Sequence, residues 1–386
     1  MTKPAHKILF VSHSAGDGGA EQSLSELVQA LPRDRFDVGI VLPEQGPLSD
    51  RLDAIGIPYK IIPFVRMKRR PLMNGLTGFV RNCLDLVPQL VSLVRPNNVA
   101  LIHANSNTAQ LFAGMAARRC GIPSIWHCRD LAPMGLERLF VRKSATRVLA
   151  ISNAVRSHMI ASGIPETRIS LLQNGIDLER FSEEKDRGAF RKERDLSPYC
   201  SLTVMAGQLV PWKRHDLFLS MAASVVARVP DARFVIAGDD ARGDHPGYLQ
   251  SLQENAKRLG IHERVIFAGH LADIRPLLRD ADCMVHPAAR EPFGRIVVEA
   301  MAMGRPVVAV NDAGPADIIR HGKDGFLVPA GNAEAMAQAV VSLRQDPALS
   351  ARMGVAARQR SLAFDIRKTA EALVAIYDSI LGTPVT

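Results

Sequence analysis

Short apolar runs alternate with amphipathic stretches along the whole chain. HKILFVSH, DVGIVLP, PYKIIPF, ALIHANS, SIWHCRD, RVLAIS and RISLLQNG are apolar and mostly rich in β-branched residues, which predicts strands. Helical spacing fills most of the gaps, so the first half reads as βαβα with a parallel sheet. A second set begins at LTVMAGQL and continues through RFVIAGD, VIFAGH, CMVHPA, PVVAV and GFLVPA, again with helical patterns between. The fold class is therefore α/β, with two doubly wound, Rossmann-like domains expected at residues 1–180 and 198–362. The polar stretch SEEKDRGAFRKERDLSP joins them and reads as a charged helical linker without chemistry.

The most informative segment is EPFGRIVVEAMAMGRPVVAV, Glu291 to Val310. A helix start is expected at Pro292, where a missing N–H costs little. Ile296, Val297, Ala300 and Met301 supply its apolar face, Gly304 stops it, and PVVAV reads as a strand covered on both sides. The free N–H groups and partial positive charge at such a helix start suit a diphosphate. Glu291 lies just before the helix and Glu299 about two turns along it. A carboxylate so placed accepts hydrogen bonds from sugar hydroxyls, as the acidic residue of a dinucleotide fold does for ribose. Taken alone, the spacing favours the plainer reading, with Glu299 a surface acid on an ordinary helix and Glu291 a helix-end charge.

Other candidates lie at predicted strand ends. SAGDGGAEQSLSELVQAL is a glycine-rich turn entering a helix, where Gly18 and Gly19 let a ligand approach the backbone, although GDGGAE is not GxGxxG. His127 ends a strand, where open α/β sheets place their sites, but a lone histidine is also often structural. Arg129 and Asp130 follow it and can pair with each other, and His103 reads equally as a packed loop histidine. Ser152 fits an N-cap, and Asn174-Gly175 is a turn. In GQLVPWKRHDLFL, Gly207 ends a strand and Lys213 begins a helix, either as a surface lysine or as a cation for a departing phosphate. Asp239-Asp240 reads as loop acids rather than a metal pair. Leu76, Phe79, Val80, Cys83, Leu84, Val87, Leu90, Val91 and Val94 form a stripe on a helix that Pro88 is expected to kink. Arg66, Lys68, Arg69 and Arg70 precede it as a solvated basic loop or, on a sharper reading, as a contact with anionic lipid.

Composition narrows the classes. A chain of 386 residues can bury two cores. MTKPAHKILFVSHSAG reads as a first strand rather than a signal peptide, and no run approaches a membrane span. Five cysteines without CxxC spacing argue against a disulfide framework or zinc site and favour the reducing cytoplasm. The net charge of +9 comes without a nucleic-acid recognition module, so anionic nucleotide and a phosphate-bearing or membrane-surface acceptor are the expected partners.

An acid, Pro-Phe-Gly, a second acid eight positions after the first, then Ala-Met-Ala-x-Gly-x-Pro-Val-Val-Ala resemble the signature of retaining GT-B glycosyltransferases of the GT4 family, the glycosyl transferases group 1. The resemblance covers nearly the whole chain and is strongest from Leu202 to Ala330. It implies two domains facing across a cleft, a terminal helix (363–381) returning to the first domain, and a nucleoside diphosphate sugar as donor. Under it, Lys213 and the N–H groups near Gly294 and Arg295 bind diphosphate, Glu299 the ribose, and Glu291 and His127 the transferred sugar. Gly18, Gly19, Asn174, Gly207, Gln208, Phe293 and Ile296 complete the donor site, while Gly269, His270 and Leu271 line the base through backbone. No metal or cofactor is required. The acceptor is a glycan, lipid-linked or small molecule, in a cytoplasmic protein at or near the inner membrane face. Family members usually carry Arg at Gln208 and commonly Gly at Arg214, so either Arg214 compensates or donor handling differs. A sugar-nucleotide epimerase and a silent sugar-nucleotide-binding protein are the competing readings.

Overall fold

The structure is a computed structural model describing residues 5–64, 72–133, 138–181, 188–240 and 243–382, with backbone alone at 72–77 and 138–140. Chain contacts divide it into two units, residues 1–175 with 366–386, and residues 176–365.

In the first unit the apolar runs form β1 (His6–Val11), β2 (Phe36–Leu42), β3 (Tyr59–Ile61), β4 (Val99–Ala104), β5 (Ser124–Cys128), β6 (Arg147–Ala150) and β7 (Ile169–Leu171). They pair in the order β3-β2-β1-β4-β5-β6-β7, and every pairing is parallel. Helices cover both faces, so β5 is buried along its whole length. The terminal helix Ile366–Leu381 packs beside helix Gly19–Ala30 and places Leu373 and Tyr377 in the core with Phe10 and Phe36. Gly175 is needed at its start, because a Cβ there would lie 2.5 Å from the Ile366 Cα. Ser152 caps helix Asn153–Ala161, its hydroxyl accepting from the Val155 N–H.

The second unit contains β8 (Leu202–Ala206), β9 (Arg233–Ala237), β10 (Val265–Gly269), β11 (Cys283–His286), β12 (Val307–Val310) and β13 (Phe326–Val328). Their order is β10-β9-β8-β11-β12-β13, again parallel throughout. Each sheet therefore reverses winding direction once, at β1/β4 and at β8/β11. In open α/β sheets the crevice for ligands opens at the carboxyl ends of the strands at that reversal.

One expectation changes in the first unit. Helix Leu72–Val94 runs continuously through Pro88, yet Val80 and Leu84 face solvent at 47% and 69% exposure. Its buried face is instead carried by Leu86, Val87, Leu90 and Val94. The basic residues Arg66 and Lys68 to Arg70, and linker residues 182–187, lie outside the described residues. The rest of the linker carries a short helix, Ala189–Glu193, and Arg191 donates to the Asp280 and Cys200 carbonyls.

Gly238 marks the tightest backbone approach in the second sheet. At φ 138° its missing Cβ would lie 1.9 Å from the Gly207 carbonyl oxygen. Gly238→Ala should therefore destabilise the second unit by roughly 2–4 kcal/mol through backbone strain and overpacking. Urea unfolding of the variant beside the parent measures the loss.

Candidate active site

The loop after β8 and the loop after β11 meet at the switch point of the second sheet. Gly207 leaves β8 with its N–H donated to the Ala237 carbonyl. A short turn, Pro211–Lys213, then returns the chain, and helix His215–Val226 follows a left-handed Arg214. Lys213 thus ends a turn rather than beginning a helix. Its stem passes over Gly207, whose Cβ would come within 3.8 Å of Lys213 Cδ and Cε. Its ammonium stands 4.3 Å from the Trp212 ring centre and forms an ion pair with Glu291.

Glu291 is held by backbone as well as charge. Its carbonyl accepts from Gly314 N–H, while the Arg290 N–H is donated to Asp312 Oδ2 at 2.9 Å. Gly314 is obligatory because a Cβ would fall 2.3 Å from Phe293 backbone atoms. His286, at the end of β11, places Nε2 3.3 Å from the same Glu291 oxygen that meets Lys213. Burial pushes the Glu291 carboxyl up, but Lys213 and His286 more than reverse this, holding it well below the usual carboxylate range. Glu291 is consequently an acceptor of hydrogen bonds at neutral pH and not a proton donor.

The following helix spans Arg295–Ala302, three residues later than expected, with Gly294 as a left-handed N-cap at φ 92°. Gly294 offers no side chain to cap it, the Val297 N–H is donated to the Gly294 carbonyl at 2.9 Å, and the positive end of the helix dipole suits an anion there. Glu299 lies little more than one turn along and pairs with Arg295, Nη2 to Oε1 at 3.3 Å. Gly294 lies against Glu291, its Cβ position 3.4 Å from Glu291 Cγ. Gly207, Lys213, Glu291, Gly294, Arg295 and Glu299 are therefore built around the β8/β11 reversal. Gln208 follows Gly207 there, and Phe293 and Ile296 flank Gly294. Gly269 joins through Gly238, whose N–H it accepts at 2.7 Å, with His270 and Leu271 next in chain. Arg214 pairs with Asp216, with Nε–Oδ1 at 3.0 Å and Nη2–Oδ2 at 3.1 Å. Asp240 is a loop acid, accepting from the His245 N–H at 2.7 Å.

The first unit has its own polar cluster near its reversal. His127 ends β5, and Arg129 Nη2 lies 3.3 Å from its Nδ1. Arg129 also donates to Asn105 Oδ1 at 2.7 Å and Asn174 Oδ1 at 2.6 Å, while Asp130 accepts from Asn107 at 3.0 Å. Asn105 donates in turn to the Ala20 carbonyl, beside the Gly18-Gly19 turn. His103 is a buried strand residue rather than a loop histidine. The sequence reading passed over His286, His215, Asn105 and Tyr377. For His286 a signal existed, since it ends a strand just as His127 does.

Residues 17–180 match the model of Glycosyltransferase Family 4, and residues 186–360 match that of Glycosyl transferases group 1. A D-inositol 3-phosphate glycosyltransferase of Rhodococcus jostii is 32% identical, covering 82% of this chain and 73% of that protein. The chain belongs to glycosyltransferase family 4. As a family 4 glycosyltransferase it also resembles the UDP-Gal:alpha-D-GlcNAc-diphosphoundecaprenol alpha-1,3-galactosyltransferase of Escherichia coli, at 25% identity over 85% of each chain. Among solved structures, Anabaena HepE in complex with UDP-glucose superposes with a TM-score of 0.85 at 26% identity, covering 97% of this chain and 99% of that one. The fold of this transferase is GT-B.

One histidine of this site makes stability depend on pH. Burial and nearby Lys213 push His215 down to about 4 from 6.5. The unfolded chain therefore takes its proton first, so its contribution is whole above about pH 6.5 and lost as pH falls towards 4. The loss amounts to about 3 kcal/mol. His103 and His127, also pushed down by burial, add a loss of the same sign in the first unit. The thermal midpoint should fall across this window, and His215→Leu should make the fall shallower. An unchanged slope would remove His215 from the account.

Proposed function

We propose that this transferase moves a sugar from a nucleoside diphosphate sugar to a hydroxyl acceptor with retention of configuration. The observation that carries this reading is the Lys213–Glu291 ion pair beside an uncapped helix start at the strand reversal. A pyrophosphate brings to that place the negative charge that an ammonium and the positive end of a helix attract. Lys213 takes the charge that builds on the diphosphate as the bond to the sugar breaks, without reorganising solvent. Arg295 fixes the Glu299 carboxylate for the ribose hydroxyls. Glu291, kept ionised, accepts from hydroxyls of the transferred sugar.

Because Glu291 is not a proton donor, leaving-group departure in this reading needs no carboxylic acid. The bond from the anomeric carbon to the diphosphate breaks, and the acceptor oxygen bonds to that carbon on the same face. The acceptor proton passes to the leaving diphosphate oxygen. The mechanism draws on no metal, the ammonium and helix N–H groups carrying the charge. His127, Asn174 and the Gly18-Gly19 turn are assigned to the sugar and acceptor side on the strength of the family pattern.

UDP is the nucleotide named in the HepE complex and the UDP-linked sugar is the donor of the Escherichia coli relative, so a UDP-sugar is the donor proposed here. The latter relative's lipid diphosphate acceptor supports a lipid-linked or glycan acceptor, in cell-surface glycoconjugate synthesis at the inner membrane face. No helix among the described residues is long and apolar enough to cross a membrane. Contact with lipid would instead use the exposed Val80 and Leu84 with the basic stretch before them.

Incubation with UDP-, GDP- and ADP-sugars should release nucleotide only when acceptor extract is supplied, and fastest from a UDP-sugar. Donor isomerised without acceptor would replace transfer by epimerisation. Lys213→Met should slow transfer on the order of 100-fold. Glu299→Gln should weaken UDP binding about tenfold, measured by titration calorimetry. Parental behaviour in both variants would refute the site.

A further inference from the structure

Tyr377, on the terminal helix, joins the first unit's histidines in a directional chain. Its hydroxyl lies 2.7 Å from His103 Nδ1, and His103 Nε2 lies 3.2 Å from His127 Nδ1. Tyr377 and His103 are fully buried, and His127 is 1% exposed. Phe10 stacks on the His103 ring with centres 4.4 Å apart, fixing its plane.

Donors and acceptors along this chain have one consistent assignment. Arg129 carries only N–H donors, so its approach to His127 Nδ1 makes that nitrogen an acceptor. A lone pair on His103 Nε2 would then face another lone pair at 3.2 Å, so His103 Nε2 carries its proton and donates. Neutral His103 therefore has a bare Nδ1, which accepts from the Tyr377 hydroxyl. Burial and the neighbouring guanidinium keep both imidazoles neutral. One donor is left over. His127 Nε2 is buried and has no hydrogen-bond partner among the described residues, and such a group costs free energy until an acceptor reaches it.

We infer that Tyr377, His103 and Arg129 are positioning residues that together lock His127 in its Nε2–H tautomer, so that it presents a hydrogen-bond donor to a hydroxyl or anionic oxygen of the substrate. The role of that donor in transfer rests on the function proposed above; the tautomer itself does not. In this form Nε2 has no lone pair, and His127 is not the general base for the acceptor. The chain also gives the returning helix a task beyond packing, since its Tyr377 hydroxyl starts the relay.

Long-range proton–nitrogen correlation of the imidazoles in the isotope-labelled full-length protein tests this without substrate. The His127 signals, assigned by their loss in His127→Gln, should show pyridine-like Nδ1 and pyrrole-like Nε2 at neutral pH. The reverse pattern, or a mixture, overturns the inference. Tyr377→Phe should admit a second tautomer and lower kcat/KM by up to about tenfold, the worth of one buried hydrogen bond. His103→Gln keeps an acceptor towards Tyr377 and a donor towards His127, and should retain the Nε2–H form and most of the rate. His103→Leu should retain neither, and equal behaviour of the two variants in spectrum and rate contradicts the relay. The locked tautomer in a protein that transfers no sugar would uphold the relay and reject the proposed function.

Discussion

A partly buried ammonium needs a counterion, and in this protein the carboxylate of Glu291 supplies it to Lys213. Removing two charges from water is costly, and the attraction between them restores only part of that cost unless further polar contacts complete the pair. His286 on the carboxylate and the Trp212 ring under the ammonium provide such contacts. Losing one partner alone would leave an uncompensated charge, a change worth about 3–5 kcal/mol in buried pairs. Such a pair is also exchangeable. A pyrophosphate bringing stronger charge can take the ammonium, leaving an ionised Glu291 available to hydroxyls.

The backbone keeps this exchange in place. Gly238 and Gly314 sit where a Cβ would collide with the backbone of a neighbouring loop. Gly294 turns the chain so that the next helix begins without a side-chain cap. In the first unit the same topological logic assembles a different chemistry. There the ends of β4 and β5 and the loops after β4, β5 and β7 gather Asn105, Asn174 and His127 as neutral acceptors around the Arg129 guanidinium, with His103 behind His127. Both units thus use the reversal of winding, one to hold charge and the other to orient protons.

The sheets were legible in the sequence because parallel strands covered on both faces read as continuous apolar runs, as in LTVMA and PVVAV. The motif around Glu291 and Glu299 was legible for the same reason, with a helix and a strand delimiting it. Local geometry was not. Pro292 looked like a helix start, yet the left-handed Gly294 delays the helix to Arg295. Arg214 looked like a spare cation, and it pairs with Asp216 two residues on. Val80 and Leu84 fitted a helical stripe whose width exceeds the face the sheet can cover. Tyr377 acquires its partner His103 from far away in the sequence, which no local pattern encodes.

The most direct test of the central claim is a crystal structure of the protein with UDP bound. The account predicts pyrophosphate oxygens against the first N–H groups of helix Arg295–Ala302, with Lys213 Nζ turned from Glu291 towards them. A nucleotide bound with its phosphates elsewhere, and the Lys213–Glu291 pair intact beneath it, would contradict the account.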